Sequence, residues 1–409
     1  MRATALFFAL IISILIARNL GPELYGLYTL VNTVISLLAI SLHGGGTSFI
    51  VRESAQLMLE KRYELFAGLR LRANQWIGFG FLAVVTLLCV ATAAYSGERG
   101  DLMHYVLVSS PMVFLVSLNK IQVAYLKGLK HPIVSQVPQS VIQPAAQCAL
   151  LLFFSLYFEL SVGAAIASLV VSSSCAVVVG WYLLKRATES ITSVNFEFQT
   201  IRWLKSLLPF SLIAITVLIS NQIMVLIVSI LSTTEEVAYL RVADRIAQLI
   251  SFSLIIVNVV VTPHFAEKSK SGDWEQIETM AKYAGRMAFA CALPLALMFT
   301  FFGEWIVSIM FGSEYASGAS TALLILSVGH LTNVFFGAVT SVLNMSGNEK
   351  ETFKGMLLGL VATAISGILF VPNMGATGGA IGMSVGFFVW NLYLSRSVVR
   401  VLKINITPL

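Results

Sequence analysis

The sequence predicts an all-α integral membrane protein, with twelve transmembrane helices in two related halves of six. Three observations carry the prediction. The 409 residues are 57% hydrophobic and only 11% charged, with a mean hydropathy of +0.86, whereas a soluble domain carries about a quarter charged residues. Twelve apolar runs, most near the roughly 20 residues that cross hydrocarbon as a helix, are separated by short polar segments. The halves flanking a polar stretch between Leu184 and Leu207 also repeat each other's landmarks. Gly26, beside Tyr25 and Tyr28, matches Ala238, beside Tyr239 (238−26=212). Leu126, before a turn with Gly128 and Lys130, matches Leu343, before Gly347 and Lys350 (343−126=217). Gly163 to Ala167 (GAAIA) matches Gly378 to Gly382 (GGAIG; 378−163=215). Such near-constant offsets read as a duplicated six-helix unit, a plan that recurs among secondary transporters. The expected organisation is a first bundle over 1–184, a connector over 185–206 and a second bundle over 207–409.

The first run, 3–20, lacks a small-x-small cleavage site at Ile16, Ala17, Arg18 and Asn19, so it reads as a span rather than a secretion signal. It is short: the stretch from Arg2 to Ala17 rises about 24 Å against roughly 30 Å of hydrocarbon. Either it takes in Asn19 and Leu20, or a few residues precede the start. The second, 27–50, carries His43 before Gly44, Gly45 and Gly46, which marks a bend or houses a buried, hydrogen-bonded imidazole. Runs 74–95, 102–126, 134–157 and 162–184 complete the first half, and 207–231, 238–262, 284–302, 318–344, 353–371 and 377–399 make the second. Helices are expected throughout, because hydrocarbon offers no water to unpaired backbone groups and these runs exceed the strands of a barrel.

The longest loops are expected over 51–73, 185–206 and 263–283. The last reads as a short surface helix, with Asp273 and Gln276 as a capping box and Trp274, Ile277 and Met280 as its apolar side. Gly355 and Gly359, then Gly378, Gly382 and Gly386, recur every four residues and predict a close helix crossing. No strand precedes them and no GKS or GKT follows, which argues against a phosphate-cradling loop. Without a nucleotide motif, active transport would draw on an ion gradient or on the substrate's own.

A net charge of +6 does not signal nucleic acid here, because the basic residues sit in short loops rather than on one soluble face. Arg52, Lys61, Arg62, Arg70 and Arg72 fall on one side, with Lys127 and Lys130, the connector's Lys185, Arg186, Arg202 and Lys205, then Lys268 to Arg286, Lys350 with Lys354, and Arg396 to Lys403. The other side holds Arg18 with Glu23, Arg99 between Glu98 and Asp101, Glu159, Glu235 with Glu236, and Glu304 with Glu314. Both termini are therefore expected in the cytoplasm, and even-numbered halves make the repeats parallel. Cys89, Cys148, Cys175 and Cys291 lie within apolar runs with no zinc or disulfide spacing, and read as small buried hydrophobes.

Ionisable groups inside spans are costly, about 2.5 to 3.5 kcal/mol each on insertion scales, and so mark candidate pathways. Arg241, Asp244 and Arg245 open span eight. Asp244 can pair with Arg241, leaving Arg245 for an anion or making a plain interfacial ion pair. Lys120, beside Asn119 and Gln122, either faces a cavity or snorkels to the surface. Arg18 is an interfacial anchor or a substrate contact, and Arg52 with Glu53 a topology signal or a gate. Asn221, Gln222, Asn258, His330 and Asn333 are interhelical hydrogen-bonding groups or ligands. With three aspartates in all and no DxD, HExxH or GxSxG, no catalytic residue, cofactor or metal site is expected, nor is an enzyme.

Arg18 to Gly26 (RNLGPELYG), Phe49 to Ala55 (FIVRESA), Glu235 to Tyr239 (EEVAY), Phe311 to Tyr315 (FGSEY) and Leu343 to Lys350 (LNMSGNEK) together resemble the polysaccharide transporter family of flippases. These are Wzx-like relatives of the MATE exporters in the multidrug/oligosaccharidyl-lipid/polysaccharide (MOP) superfamily. The resemblance covers essentially the whole chain. It implies two pseudo-symmetric six-helix bundles forming a V around a central cavity. It also implies export of an undecaprenyl-diphosphate-linked oligosaccharide, an O-antigen or capsule repeat unit, across the bacterial inner membrane. The partners would be that lipid-linked oligosaccharide, membrane lipids, and a polymerase or other polysaccharide-assembly proteins, with no nucleic acid. On this reading Arg245, Arg241 and Lys120 line the cavity with positive charge, Arg18 is a further candidate, and Asn221, Gln222 and Asn333 meet sugar hydroxyls. Asp244, Arg52 and Glu53 serve as gating or ion-pair groups. Relatives often carry an acidic residue in span seven, where this chain has Asn221, Gln222, Ile223 and Met224, which puts cation coupling through that helix in doubt. The rivals are a MATE-like cation-coupled exporter and a non-transporting scaffold of a polysaccharide-assembly complex.

Overall fold

The structure is a computed structural model that describes residues 2–94, 100–189 and 195–406. The expected Glu98 and Arg99 loop and connector residues 190–194 lie outside these. The described residues are overwhelmingly helical and include no strand. In order the helices are α1 (Arg2–His43), α2 (Gly46–Leu59), α3 (Tyr63–Ala94), α4 (Gly100–Val108), α5 (Pro111–Gly128), α6 (Gln143–Tyr157) and α7 (Val162–Ala187). They continue with α8 (Thr200–Leu231), α9 (Thr234–Ser271), α10 (Trp274–Phe301), α11 (Gly303–Phe311), α12 (Ser313–Phe335), α13 (Val339–Met345) and α14 (Glu349–Leu402). A 3-10 turn (Val134–Gln136) and a π-helical turn (Pro138–Ile142) lead into α6.

Among the described residues nine helices are long and apolar enough to cross a membrane, or ten if the bent pair α4 and α5 is one span, against the expected twelve. The difference lies in the two longest helices. α1 is interrupted by non-helical Gly21 (φ 72°) ahead of Pro22, and α14 by Gly375 (φ 50°). Both glycines occupy positive φ, where a side chain would clash with its own backbone. The glycine run after His43 does bend the chain: α1 ends there, and Gly45, at φ 71°, precedes α2.

Two of the long loops are shorter than expected. Of the residues expected as loop over 51–73 all but 60–62 belong to α2 and α3, and of those over 263–283 all but 272 and 273 belong to α9 and α10. Glu, Lys and Arg end a hydrophobic run but are good helix formers, so the helices continue past the apolar stretch. Asp273 does cap a helix, accepting from the Gln276 amide at 3.2 Å. That helix is no short surface element, however, but α10, which runs on to Phe301. The cysteines also differ from expectation. Only Cys148 is buried, and Cys89, Cys175 and Cys291 are exposed, because an apolar helix face in a membrane protein can look outward to lipid as readily as inward.

The chain divides into two compact units, residues 1–20 with 27–221, and residues 21–26 with 222–409. The first packs Phe49, Leu65, Leu69, Tyr125, Leu126 and Trp203 into one core. The second centres on Phe265, Ile277, Leu343, Leu394 and Val398. Each core sits beside the same pair of turns. His131 N–H donates to the Leu126 carbonyl at 2.9 Å around left-handed Lys130, and Asn348 N–H donates to the Leu343 carbonyl at 2.9 Å around left-handed Gly347 (347−130=217). Likewise Arg62 N–H bonds the Leu57 carbonyl around Lys61, and Asp273 N–H the Lys268 carbonyl around Gly272 (272−61=211). These are Schellman closures of helix ends, repeated at or close to the offsets read from the sequence.

Within the second unit, α14 folds back at Gly375. A Cβ on Gly382 would lie 3.0 Å from the Gly367 amide, and one on Gly386 would lie 3.0 Å from the Gly359 carbonyl. The four-residue glycine spacing is thus a backbone-to-backbone crossing. The same unit gathers Tyr25, Tyr239 and Phe311 around Tyr315, with ring centroids 6.2 to 6.3 Å apart. Glu236 accepts the Ala376 amide at 2.6 Å, beside the Gly375 break. Three of the family-like segments therefore meet in one aromatic knot.

Candidate functional site

Each unit carries its own basic, polar cluster. In the first, α5 presents Lys120 half-buried on the wall of a cleft of about 250 Å³. Lys127, Gln136, Gln139, Thr47 and Ser48 share the mostly polar lining. Lys120 Nζ donates to Gln139 Oε1 at 3.3 Å. Gln139 belongs to the π-helical turn that opens behind Pro138, an irregularity of the kind that often marks functional positions. Lys120 thus lines a cleft that Lys127, in the last turn of α5, also lines.

In the second unit Asp244, 7% exposed, is surrounded. Arg241 lies 3.8 Å from it along α9, Gln248 Nε2 donates to it at 2.7 Å, and His330 Nε2 of α12 stands 3.7 Å away. His330 Nδ1 is held by Ser251 Oγ at 2.8 Å. Arg245 makes no ion pair among the described residues, and its Nε is buried without a hydrogen-bond partner. Two arginines around one carboxylate leave net positive charge, and that suits an anion.

The other candidates part company. Asn333 Oδ1 accepts from Asn391 Nδ2 at 2.9 Å, so its carbonyl is engaged in an interhelical bond. Asn221 is exposed, Gln222 half-buried and Arg18 exposed. Arg52 and Glu53 do not pair with each other, since adjacent helical residues point in different directions. Arg52 lies over the Phe210 ring at 5.1 Å, while Glu53, 4% exposed, has Arg202 at 3.9 Å. His43 is bonded to Ser117 Oγ at 3.2 Å, the structural role foreseen for it. Asn258 Oδ1 is buried and unpartnered. Sequence reasoning missed Gln139, Gln248 and Ser251. Gln248 was within reach, four residues beyond Asp244 on the same face, whereas nothing local ties Gln139 to Lys120.

Solved structures share this fold. One is an inward-facing multidrug resistance MATE family transporter of the MOP superfamily, with TM-score 0.81 and 19% identity, covering 98% of this chain and 96% of that one. A second is the lipid II flippase MurJ in an inward closed conformation, with TM-score 0.78 and 17% identity, covering 96% and 85%. A third is a MOP superfamily transporter from Pyrococcus furiosus, with TM-score 0.67 and 19% identity, covering 98% and 93%. No curated protein matches the sequence. At these identities the likeness is one of fold, an all-helical MOP-transporter architecture. A family profile described as polysaccharide biosynthesis protein matches residues 15–320, well over half of the chain, and the protein belongs to that family.

Proposed function

We propose that the protein is a flippase that moves an undecaprenyl-diphosphate-linked oligosaccharide, an O-antigen or capsule repeat unit, across the bacterial cytoplasmic membrane by alternating access, with both termini cytoplasmic. The observation that carries this reading is the Lys120 cleft. A diphosphate and its sugar hydroxyls cannot shed water into hydrocarbon without replacement partners. The cleft offers two ammonium groups, two amides and two hydroxyls in one place. Arg241 and Arg245 supply a second cationic station in the other unit. Membership of a polysaccharide biosynthesis family supports the glycan class, and the shared fold with a lipid II flippase supports lipid-linked cargo. Polymerases and other assembly proteins are the expected partners.

A MATE-like exporter of cationic drugs is favoured by the fold shared with a MATE family transporter and by the buried Asp244. Its charge is already offset by Arg241 and approached by Arg245, which weighs against a cation ligand. The test is the double variant Lys120→Ala/Arg245→Ala in a strain lacking the native gene, with membrane level matched to wild type. Labelled lipid-linked oligosaccharide is expected to accumulate on the inner leaflet, with surface polymer falling at least tenfold. Unchanged polymer output would remove both residues from the mechanism. A changed drug-resistance profile with normal sidedness would favour the exporter, and normal sidedness with disorganised synthesis the scaffold.

A further inference from the structure

One wall of the Lys120 cleft is a stretch of irregular helix. Val134–Gln136 is a 3-10 turn and Pro138–Ile142 a π-helical turn, after which α6 runs on regularly. The Gln143 amide closes the π turn by donating to the Pro138 carbonyl, where an α-helix would use the Gln139 carbonyl. The cause lies one residue further on. Pro144, second in α6, has no N–H to give, and in an α-helix its ring would crowd the Ser140 carbonyl; a wider turn moves that carbonyl away. A side chain then fixes the turn to its neighbour. Gln143 Nε2 donates at 2.9 Å to Ser173 Oγ of α7, and Ser173 is only 2% exposed.

A π turn holds one residue more than an α turn, so the chain ahead of it is rotated by one residue, about 100°. In this register Gln136 and Gln139 line the cleft, and Gln139 Oε1 accepts from Lys120 Nζ at 3.3 Å. In an α register Val137 and Ser140 would take their places. We infer that Pro144, Gln143 and Ser173 are positioning residues for the cleft: they hold the π turn, which presents Gln136 and Gln139 to Lys120 and to an anionic, hydroxyl-bearing cargo. None of the three lines the cleft itself. The inference rests on the cargo proposed above and adds what aims the groups that would hold it. An ammonium has three donors. Gln139 takes one, which keeps Lys120 in the cleft instead of letting it reach along α5 toward the surface, and two remain for a phosphate. The amide N–H groups of Gln136 and Gln139 serve the cargo's oxygens.

The test reads register and binding separately in the purified full chain. For register, Gln139→Cys and Ser140→Cys are each reacted with a water-soluble thiol reagent, in a background whose four native cysteines are replaced by alanine. Gln139→Cys is expected to react faster, and Pro144→Ala to reverse the order. Binding is measured with undecaprenyl diphosphate. Pro144→Ala should weaken it about tenfold, as for a lost hydrogen bond to a charged group. Pro144→Ala/Ser140→Gln should restore most of that, because an amide returns to the cleft, whereas a mere packing defect would persist. Should Pro144→Ala fold poorly, Ser173→Ala puts the same question, with a loss of about threefold that Ser173→Thr reverses. An unchanged order of reactivity in Pro144→Ala, or a reversed order with binding intact, would overturn the assignment. Binding that survives Lys120→Ala would remove the cargo from the cleft and the positioning role with it. Binding lost with Lys120→Ala but kept with Pro144→Ala would remove the positioning role alone.

Discussion

Asp244 shows how much a single buried side chain can decide. It is approached by Arg241, His330 and Gln248, so removing it strands cationic groups rather than merely deleting a bond. Breaking a buried pair by truncating one partner costs about 3–5 kcal/mol, far more than a neutral replacement of both. Asp244→Ala is therefore expected to lower the unfolding midpoint in detergent steeply, and Arg241→Ala/Asp244→Ala to recover part of the loss. A double variant no more stable than the single would show that Arg241 does not depend on Asp244. The sequence revealed half of this arrangement. Arg241, Asp244 and Arg245 share one helix, so their spacing announces their contact. His330 arrives from α12 through tertiary packing, which leaves no local trace. The same holds for Lys120, whose polarity within a span was visible while its partner Gln139 was not. It holds again for Glu53, whose neighbour in the sequence, Arg52, turned out not to be its neighbour in space.

At the level of helices, similar sequence does not guarantee similar packing. GAAIA at Gly163 and GGAIG at Gly378 align between the halves, yet their surroundings differ. A Cβ on Gly163 would meet nothing closer than Ser161 Oγ at 3.7 Å, whereas one on Gly378 would run into the backbone of Phe370 and Val371. Gly163→Ala is expected to be neutral or slightly stabilising, since alanine is the better helix former. Gly378→Ala should cost about 1–3 kcal/mol, because backbone cannot move aside as a side chain can. Thermal unfolding of the two variants side by side checks this, and equal midpoints would mean that α14 does not fold back tightly at Gly375. The fourfold glycine spacing was legible as a crossing because small residues at that period have few other uses in a membrane. Helix ends were not, because run length measures the bilayer and says little about where a charged, helix-favouring extension stops. The breaks at Gly21 and Gly375 fall in the short gaps between expected runs, after residue 20 and after residue 371, where Pro22 and Pro372 accompany the glycines.

Two pairs of turns recur between the expected halves, but those halves and the compact units do not share a boundary. Paired turns at Lys130 and Gly347, offset 217, and at Lys61 and Gly272, offset 211, lie at or close to the offsets of the sequence repeat and close their helices alike. Yet the first unit runs on to residue 221, well past the connector. The reason lies in the first part of α8. Trp203 is 1% exposed within the core that holds Phe49 and Leu126, Ser211 Oγ donates to the Gly44 carbonyl at 2.8 Å, and Phe210 underlies Arg52. A helix that opens the second repeat thus completes the first unit. The consequence is a difference between two truncations. A fragment of residues 1–195 lacks Trp203 and leaves the faces of Phe49 and Leu126 uncovered, at a cost comparable to the 3–5 kcal/mol of deleting a large core aromatic. A fragment of residues 1–221 keeps both. Expressed alone in membranes, the longer fragment is expected to accumulate at least fivefold above the shorter, and supplying residues 196–409 as a second chain should rescue residues 1–195. Equal levels of the two fragments would place the folding boundary at the connector, and make the contacts of α8 incidental to the stability of the first unit.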